Sequence, residues 1–325
     1  MNESRTPREQ LDEVISAVAQ NPSIAAKREI GLVSEVLGSS GWVTGPGDDG
    51  AALDLNGVTA IICGEALWPP FVKADPRGAG IAAVLANVND VAAMGGTPEG
   101  IVDTIIGSRE IARAALEGMK YASKIYRVPI VGGHLTISDT TAAISAFALG
   151  KADALLSATN ISLGQDLVIA ACIEGTMRSD FPFFASFDER GDSLGDDIRL
   201  LPMIAKAGLA RAAKDISMAG LVGSLAMLLE WGLFGANIDL DKLPAPTGVS
   251  LALWCNCFPC YGFILCCDPA TTAECIQVFI EAGLAAAKVG KINDSGIITL
   301  EAEGISRRAL DLRSVAVTGL VKKGL

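Results

Sequence analysis

The sequence predicts a two-domain protein of the α/β or α+β class. Strand-like and helix-like patterns alternate in both halves of the chain. A length of 325 residues supplies two cores at roughly 150 residues per domain. A polar stretch, Ser157 to Gln165, separates the halves and sets the boundary. The expected organisation is an N-terminal helical arm over 1–39, a first domain over 40–156 and a second over 157–325.

The arm shows two amphipathic patterns, Leu11, Val14, Ile15, Val18 and then Ile24, Val33, Val36, Leu37, the first ending near Asn21-Pro22 and the second at Gly38. After a Gly-, Ser- and Pro-rich loop, two strands, Ala51 to Leu55 and Val58 to Cys63, flank Asn56-Gly57, a short hairpin signal. Asp75-Pro76 reads as N-cap and first helical position of a helix to Met94, stopped by Gly95-Gly96. A strand (Glu99 to Ile106), a helix (Arg109 to Tyr126), a strand ending at Val131 and a strand from Ala142 to Leu149 complete the first domain. In the second, we expect a strand Leu167 to Cys172, helices Asp197 to Ala213, Gly220 to Leu229 and Thr271 to Ala282, two strands within 251–266, and strands near Lys288 and Ile297.

Composition narrows the function classes. Half of the residues are hydrophobic, 5% are aromatic, and mean hydropathy is +0.41, so disorder is excluded and a membrane span has to be tested. The most apolar run, Val249 to Cys267, nears the ~20 residues of a span, but Asn256, Pro259 and Gly262 divide it into two short strands around a Pro turn. A net charge of −11 disfavours nucleic acid. No apolar leader opens the chain, and eight cysteines read as reduced thiols of a cytoplasmic protein. The cluster Cys255, Cys257, Cys260, Cys266 and Cys267 lacks the second ligand pair of a zinc site and reads as buried strand residues.

Four segments could carry chemistry. Asp48 and Asp49 are adjacent carboxylates in GPGDDGAAL; such a pair is a solvated loop, faces two ways, or shares a cation, and hard oxygen donors suit Mg²⁺. Asn87 and Asp90 share one face of an otherwise apolar helix, where burial demands partners, either a structural network or a ligand. His134, the single histidine, follows Gly132-Gly133 after a strand, as a structural or a catalytic residue. Asp215, in KDISMAG, is a helix cap or a phosphate-site residue ahead of Gly220 and Gly223. No Walker loop, dinucleotide fingerprint or nucleophile elbow is present.

Taken in order, these segments resemble the AIR synthase-like (PurM-like) ATP-binding superfamily, which includes aminoimidazole ribonucleotide synthetase, thiamine-monophosphate kinase, selenophosphate synthetase and the hydrogenase-maturation dehydratase. GPGDDGAAL is similar to the family's Mg²⁺-binding Asp-Asp segment, which implies metal roles for Asp48 and Asp49. DPRGAGIAAVLANVNDVAAMGGTP resembles the Asn-x-x-Asp helix, implying Asp90 as a metal ligand and Asn87 as a nucleotide-site residue. VGGHL stands where members carry Gly-Gly-Asp, Gly-Gly-Glu or Gly-Gly-His, placing Gly132 and Gly133 at the nucleotide and His134 as an acid/base or phosphate donor. KDISMAG is similar to the Asp-x-Ser-x-Gly segment, which carries Asp215 to metal and phosphates, and FPCYGF resembles a strand of AIR synthase-related proteins of unassigned function.

Departures also speak. No cysteine precedes Cys63, unlike selenophosphate synthetases, and Cys63-Gly64-Glu65 replaces the Ser-Thr-Asp of thiamine-monophosphate kinases, leaving Glu65 as a candidate catalytic or metal residue. The hydrogenase-maturation protein's terminal thiolate is absent from the ending Val321 to Leu325. The resemblance implies a two-domain PurM-like fold whose N-terminal sheet pairs across a homodimer, with ATP and Mg²⁺ between the domains. It implies an ATP-using ligase, cyclo-ligase or kinase that activates an amide, acid or carbonyl oxygen of a small metabolite. The alternative is a catalytically silent ATP-binding regulator or scaffold for a partner enzyme of the same pathway.

Overall fold

The structure, a computed structural model, describes residues 6–38 and 44–320; part of the expected Gly-, Ser- and Pro-rich loop and the chain's last five residues lie outside them. The chain divides into two compact units: Met1–Asp48 with Leu156–Glu189 and Ala207–Leu325, and Asp49–Leu155 with Arg190–Lys206. We call them the seven-stranded and the five-stranded unit after their main sheets.

Three N-terminal helices, α1 (Pro7–Ala19), α2 (Pro22–Ala26) and α3 (Gly31–Leu37), belong to the seven-stranded unit. Helix α1 is not a free arm. Leu11, Val14 and Val18, spaced to line one helix face, are buried in that unit's core. The Arg307 guanidinium donates to Asp12 at 3.0 Å, and Asn21 donates to Asn256 at 3.2 Å.

The five-stranded unit is built from β1 (Ala51–Asp54), β2 (Thr59–Ala66), α4 (Pro69–Ala74), α5 (Pro76–Ala93), β3 (Thr97–Gly107), α6 (Arg109–Tyr126), β4 (Ile130–Ile137) and β5 (Ala143–Ala152). Asn56 and Gly57 both have positive φ, the geometry of a two-residue hairpin turn, and they join β1 to β2. Asp75 accepts from the Gly78 amide to cap α5, and Ser108 accepts from the Ile111 amide to cap α6. The sheet order is β1-β2-β5-β3-β4, antiparallel except for β3 and β4, which α6 joins as a βαβ crossover. Helices α5 and α6 cover one face. They approach so closely that a Cβ on Gly80 would strike the Ala115 carbonyl and one on Gly118 the Arg77 carbonyl.

Strand alternation splits this sheet into two faces. Ile61, Cys63, Ile101, Asp103, Ile105, Ala146 and Ala148 are buried beneath the helices. Ile62, Val102, Phe147 and Leu149 lie on the opposite, uncovered face, each more than 40% exposed. Residues 190–206 complete the unit: Arg190 forms a two-pronged ion pair with buried Asp197, and Arg199 donates to the Tyr126 carbonyl at 3.1 Å.

In the seven-stranded unit the sheet order is Ile305–Asp311, Ile297–Ala302, Gly235–Asp239, Ala285–Asn293, Asp166–Ala171, Gly262–Cys267, Ala212–Asp215. Helix Gly220–Glu230 is buried along its whole length. Its last residue, Glu230, accepts from the amides of Val317 (2.7 Å) and Thr318 (2.8 Å), so a buried carboxylate fastens the segment that follows the last strand. All eight cysteines are buried free thiols. Among the described residues no helix is long and apolar enough to cross a membrane.

Several expected elements differ. The predicted helix Asp197 to Ala213 is two short helices, Leu194–Asp197 and Leu200–Lys206, then a turn at Gly208 (φ 69°) and the strand Ala212–Asp215. Of the two strands expected within 251–266, the first is helix Leu251–Asn256, capped by Ser250 and seated by Trp254, whose indole donates to the Pro244 carbonyl. Strand β4 does not stop at Val131 but runs through the glycine pair to Ile137. The strands Gly235–Asp239 and Ile305–Asp311 were not expected at all.

Candidate functional site

The two adjacent aspartates serve different partners. Asp48 turns back on its own loop: one carboxylate oxygen accepts from the Gly45 amide (2.9 Å) and the Ser157 hydroxyl (2.6 Å), the other from the Ala158 amide (2.6 Å). A carboxylate so occupied is a structural clasp between two stretches of the seven-stranded unit. Gly47 makes the loop possible, because at φ 95° a Cβ there would overlap the Met227 carbonyl.

Asp49 opens the five-stranded unit just before β1. Its carboxylate and that of Asp90, on the buried face of α5, have oxygens within 4.8 Å of each other. Asp90 is only 6% exposed. Around them the charge is of one sign. Burial pushes the thiol of Cys63, on β2, far above its ordinary range, and the nearby Asp90, Glu65 and Asp49 push it further. Glu65 lies two residues along the same face of β2 from Cys63 and is exposed. Two carboxylates this close repel unless a proton or cation lies with them. Hard oxygen donors on a buried helix and a loop match the demands of Mg²⁺, which takes carboxylates plus phosphate oxygens; the donor set therefore fits that ion.

Asn87, one turn before Asp90, is a tie within the unit. Its amide donates to the Ala83 carbonyl (2.8 Å) and to the Ala146 carbonyl on β5 (3.2 Å), and its oxygen accepts from the Cys63 thiol at 3.4 Å. The hydrogen-bond network considered from the sequence is thus present.

Gly132, Gly133 and His134 lie within β4, not after its end. Gly133 faces the helices, where a Cβ would come within 2.6 Å of the Asp103 carboxylate. His134 therefore points to the uncovered face, exposed and beside the Thr136 hydroxyl at 3.3 Å. The structure does not bring it to Asp49 and Asp90. Asp215 ends the strand Ala212–Asp215 of the seven-stranded unit and is buried. It does not cap the following helix, whose N-cap is Ala219, without a side-chain hydrogen bond. The Cys255 to Cys267 thiols form no group near enough to hold a metal among the described residues.

Two residues escaped the sequence reading. Cys63 joins Asn87, and Asp103 interrupts the inward-facing series Ile101, Ile105. The alternation GIVDTII carried the signal for Asp103: a carboxylate at an inward position of an apolar strand.

A two-unit α+β architecture with a carboxylate pair on a helix and a loop is that of an AIR synthase-like protein. The chain belongs to the AIR synthase related family: residues 47–152 match its N-terminal domain and residues 179–303 its C-terminal domain. An uncharacterized protein of Synechocystis sp. is 33% identical over 317 residues, 95% of this chain and 98% of that protein. The phosphoribosylformylglycinamidine synthase subunit PurL of Pyrobaculum islandicum is 25% identical over 74% of this chain but only 38% of its own length. Among solved structures, Thermotoga maritima PurL complexed with ATP superposes with a TM-score of 0.72 at 18% identity, covering 84% of this chain and 47% of PurL. AaThiL complexed with AMPPCP and TMP superposes with a TM-score of 0.65 at 18% identity, covering 86% of this chain and 95% of that one. These likenesses establish the PurM-like fold.

Proposed function

We propose that this protein is a Mg²⁺-dependent ATP-binding enzyme that activates an oxygen of a small metabolite by phosphoryl transfer. The observation that carries the reading is the Asp49–Asp90 carboxylate pair. Family membership supports it, as do fold neighbours solved with ATP or AMPPCP. In this reading Asp49 and Asp90 hold the ion, and Glu65 adds negative charge beside them. The ion would supply charge neutralisation at the phosphates. Asp215 is assigned to metal and phosphate by motif resemblance and needs its own variant. Asp48 is assigned to positioning the loop that presents Asp49. Gly132 and Gly133 remain nucleotide-side candidates through their backbone.

The reading extends to a cytoplasmic homodimer joined through the uncovered face of the five-stranded sheet, which would place His134 in the interface. A second reading, a nucleotide-binding regulator without turnover, is favoured by the single histidine facing away from the carboxylate pair.

The test is thermal unfolding and calorimetry with saturating Mg-ATP, followed by ADP formation over pools of amides, acids and amines. A rise in the unfolding midpoint with binding heat supports nucleotide binding; no shift and no heat would sink it. Binding without ADP formation in any pool favours the regulator.

A further inference from the structure

We propose that Cys63 and Asn87 are a positioning pair for the ion site: the Cys63 thiol orients the Asn87 amide, the amide fixes the turn of α5 that carries Asp90, and neither side chain touches the nucleotide. The inference rests on the reading of the Asp49–Asp90 pair as an ion site. It departs from the resemblance, which implies Asn87 as a nucleotide-site residue.

The hydrogen-bonding groups of Asn87 are spent inside the unit. A carboxamide offers two N–H groups and one oxygen. The nitrogen donates one turn back to the Ala83 carbonyl at 2.8 Å, and across to the sheet to the Ala146 carbonyl of β5 at 3.2 Å. The oxygen accepts from the Cys63 thiol of β2 at 3.4 Å, and the same sulfur lies 3.4 Å from the Asn87 main-chain carbonyl. Two carbonyls demand the nitrogen and a thiol demands the oxygen, so these neighbours admit one orientation of the amide. Asn87 is fully buried, with no N–H left to offer a ligand.

The consequence falls on Asp90, three residues further along. Ala83, Asn87 and Val91 recur every four residues and lie on one stripe of α5. Two of them meet β5: Asn87 at Ala146, and Val91 at Gly150, where a Cβ would overlap the Val91 side chain. The Val91 contact has no direction, and Ala83 gives the stripe little relief to key into the sheet. Hydrogen bonds are directional, so the amide sets how α5 is rotated about its axis and where Asp90 is aimed. Asp49 precedes β1 and does not move with α5, so any rotation of the helix alters the approach of the two carboxylates. Without the thiol the amide oxygen loses its donor, and the constraint on α5 loosens.

The experiment uses the full chain and Mn²⁺ without nucleotide, its free fraction counted by electron paramagnetic resonance, followed by calorimetry with Mg-ATP. Cys63→Val should weaken Mn²⁺ binding by about three- to tenfold, the loss expected for one hydrogen bond. Cys63→Ser, which keeps a donor, should restore most of it, and Asn87→Leu should weaken binding at least as much as Cys63→Val. Leu11→Ala should lower the unfolding midpoint at unchanged Mn²⁺ affinity, which separates aim from stability. Wild-type Mn²⁺ affinity in folded Cys63→Val would overturn the proposal, and that variant decides alone if Asn87→Leu does not fold. So would an Asn87→Leu protein that loses ATP affinity but binds Mn²⁺ normally, because Asn87 would then be a nucleotide contact. Absence of Mn²⁺ binding in wild type would sink the ion reading itself and this proposal with it.

Discussion

Asp49, Asp90 and Asp103 are acidic residues of one unit in different electrical settings, and each makes a separate prediction. Neutralising either member of the pair, Asp49→Asn or Asp90→Asn, removes a charged ligand worth about 1.5–3 kcal/mol, so Mg-ATP affinity by calorimetry should fall by roughly ten- to a hundredfold. Asp48→Asn should instead act on stability, since its carboxylate is spent on Gly45, Ser157 and Ala158. For Asp103 the sign follows from burial, which raises its folded pKa above the ordinary carboxylate value. The unfolded chain ionises first as pH rises, so the group subtracts stability above its unfolded pKa and the loss is complete once pH passes the folded value. Asp103→Asn should therefore melt above wild type near pH 7, with the gap closing toward about pH 4, as read by thermal unfolding across that range. Glu230→Gln leaves buried amides of Val317 and Thr318 with a weaker acceptor and should cost about 1–3 kcal/mol in denaturant unfolding.

At the scale of elements, the legible parts are those fixed by local chemistry. The Asn56-Gly57 hairpin, the Asp75-Pro76 start of α5 and the limits of α6 follow from turn and cap residues that act within a few positions. What was not legible depends on distant partners. Trp254 and its neighbours have strand propensities, yet Ser250 caps them into a helix and α1 packs against it. The strand is expected to end at Val131, before the glycine pair, but β3 on one side holds the pair in the strand. The site was read in the same way. Asp90 and Asn87 were legible from polar residues on an apolar helix, whereas the outward direction of His134 depends on register, which sequence does not display. Packing predicts its own losses. Gly118→Ala would force α5 and α6 apart at the Arg77 carbonyl and should destabilise the protein by ~1–3 kcal/mol. Leu11→Ala, in the core of the seven-stranded unit, should cost about 2–5 kcal/mol.

For the whole molecule, the uncovered sheet face is the feature to explain. Ile62 (42% exposed), Val102 (41%), Phe147 (46%) and Leu149 (48%) leave a broad apolar surface on one unit, which a monomer rarely tolerates. If this face is where copies pair, Phe147→Asp should convert the dimer to monomer in light scattering with little change in the circular dichroism spectrum.

The interleaving of the two units also sets an order of events during synthesis. The five-stranded unit needs Arg190–Lys206, so it stays incomplete until more than half of the chain has left the ribosome. The seven-stranded unit uses Leu11, Val14 and Val18 from the beginning and Leu312 and Val317 near the end of one core. Helix α1 therefore completes its set of core partners only after segments nearly 300 residues further along the chain have been made.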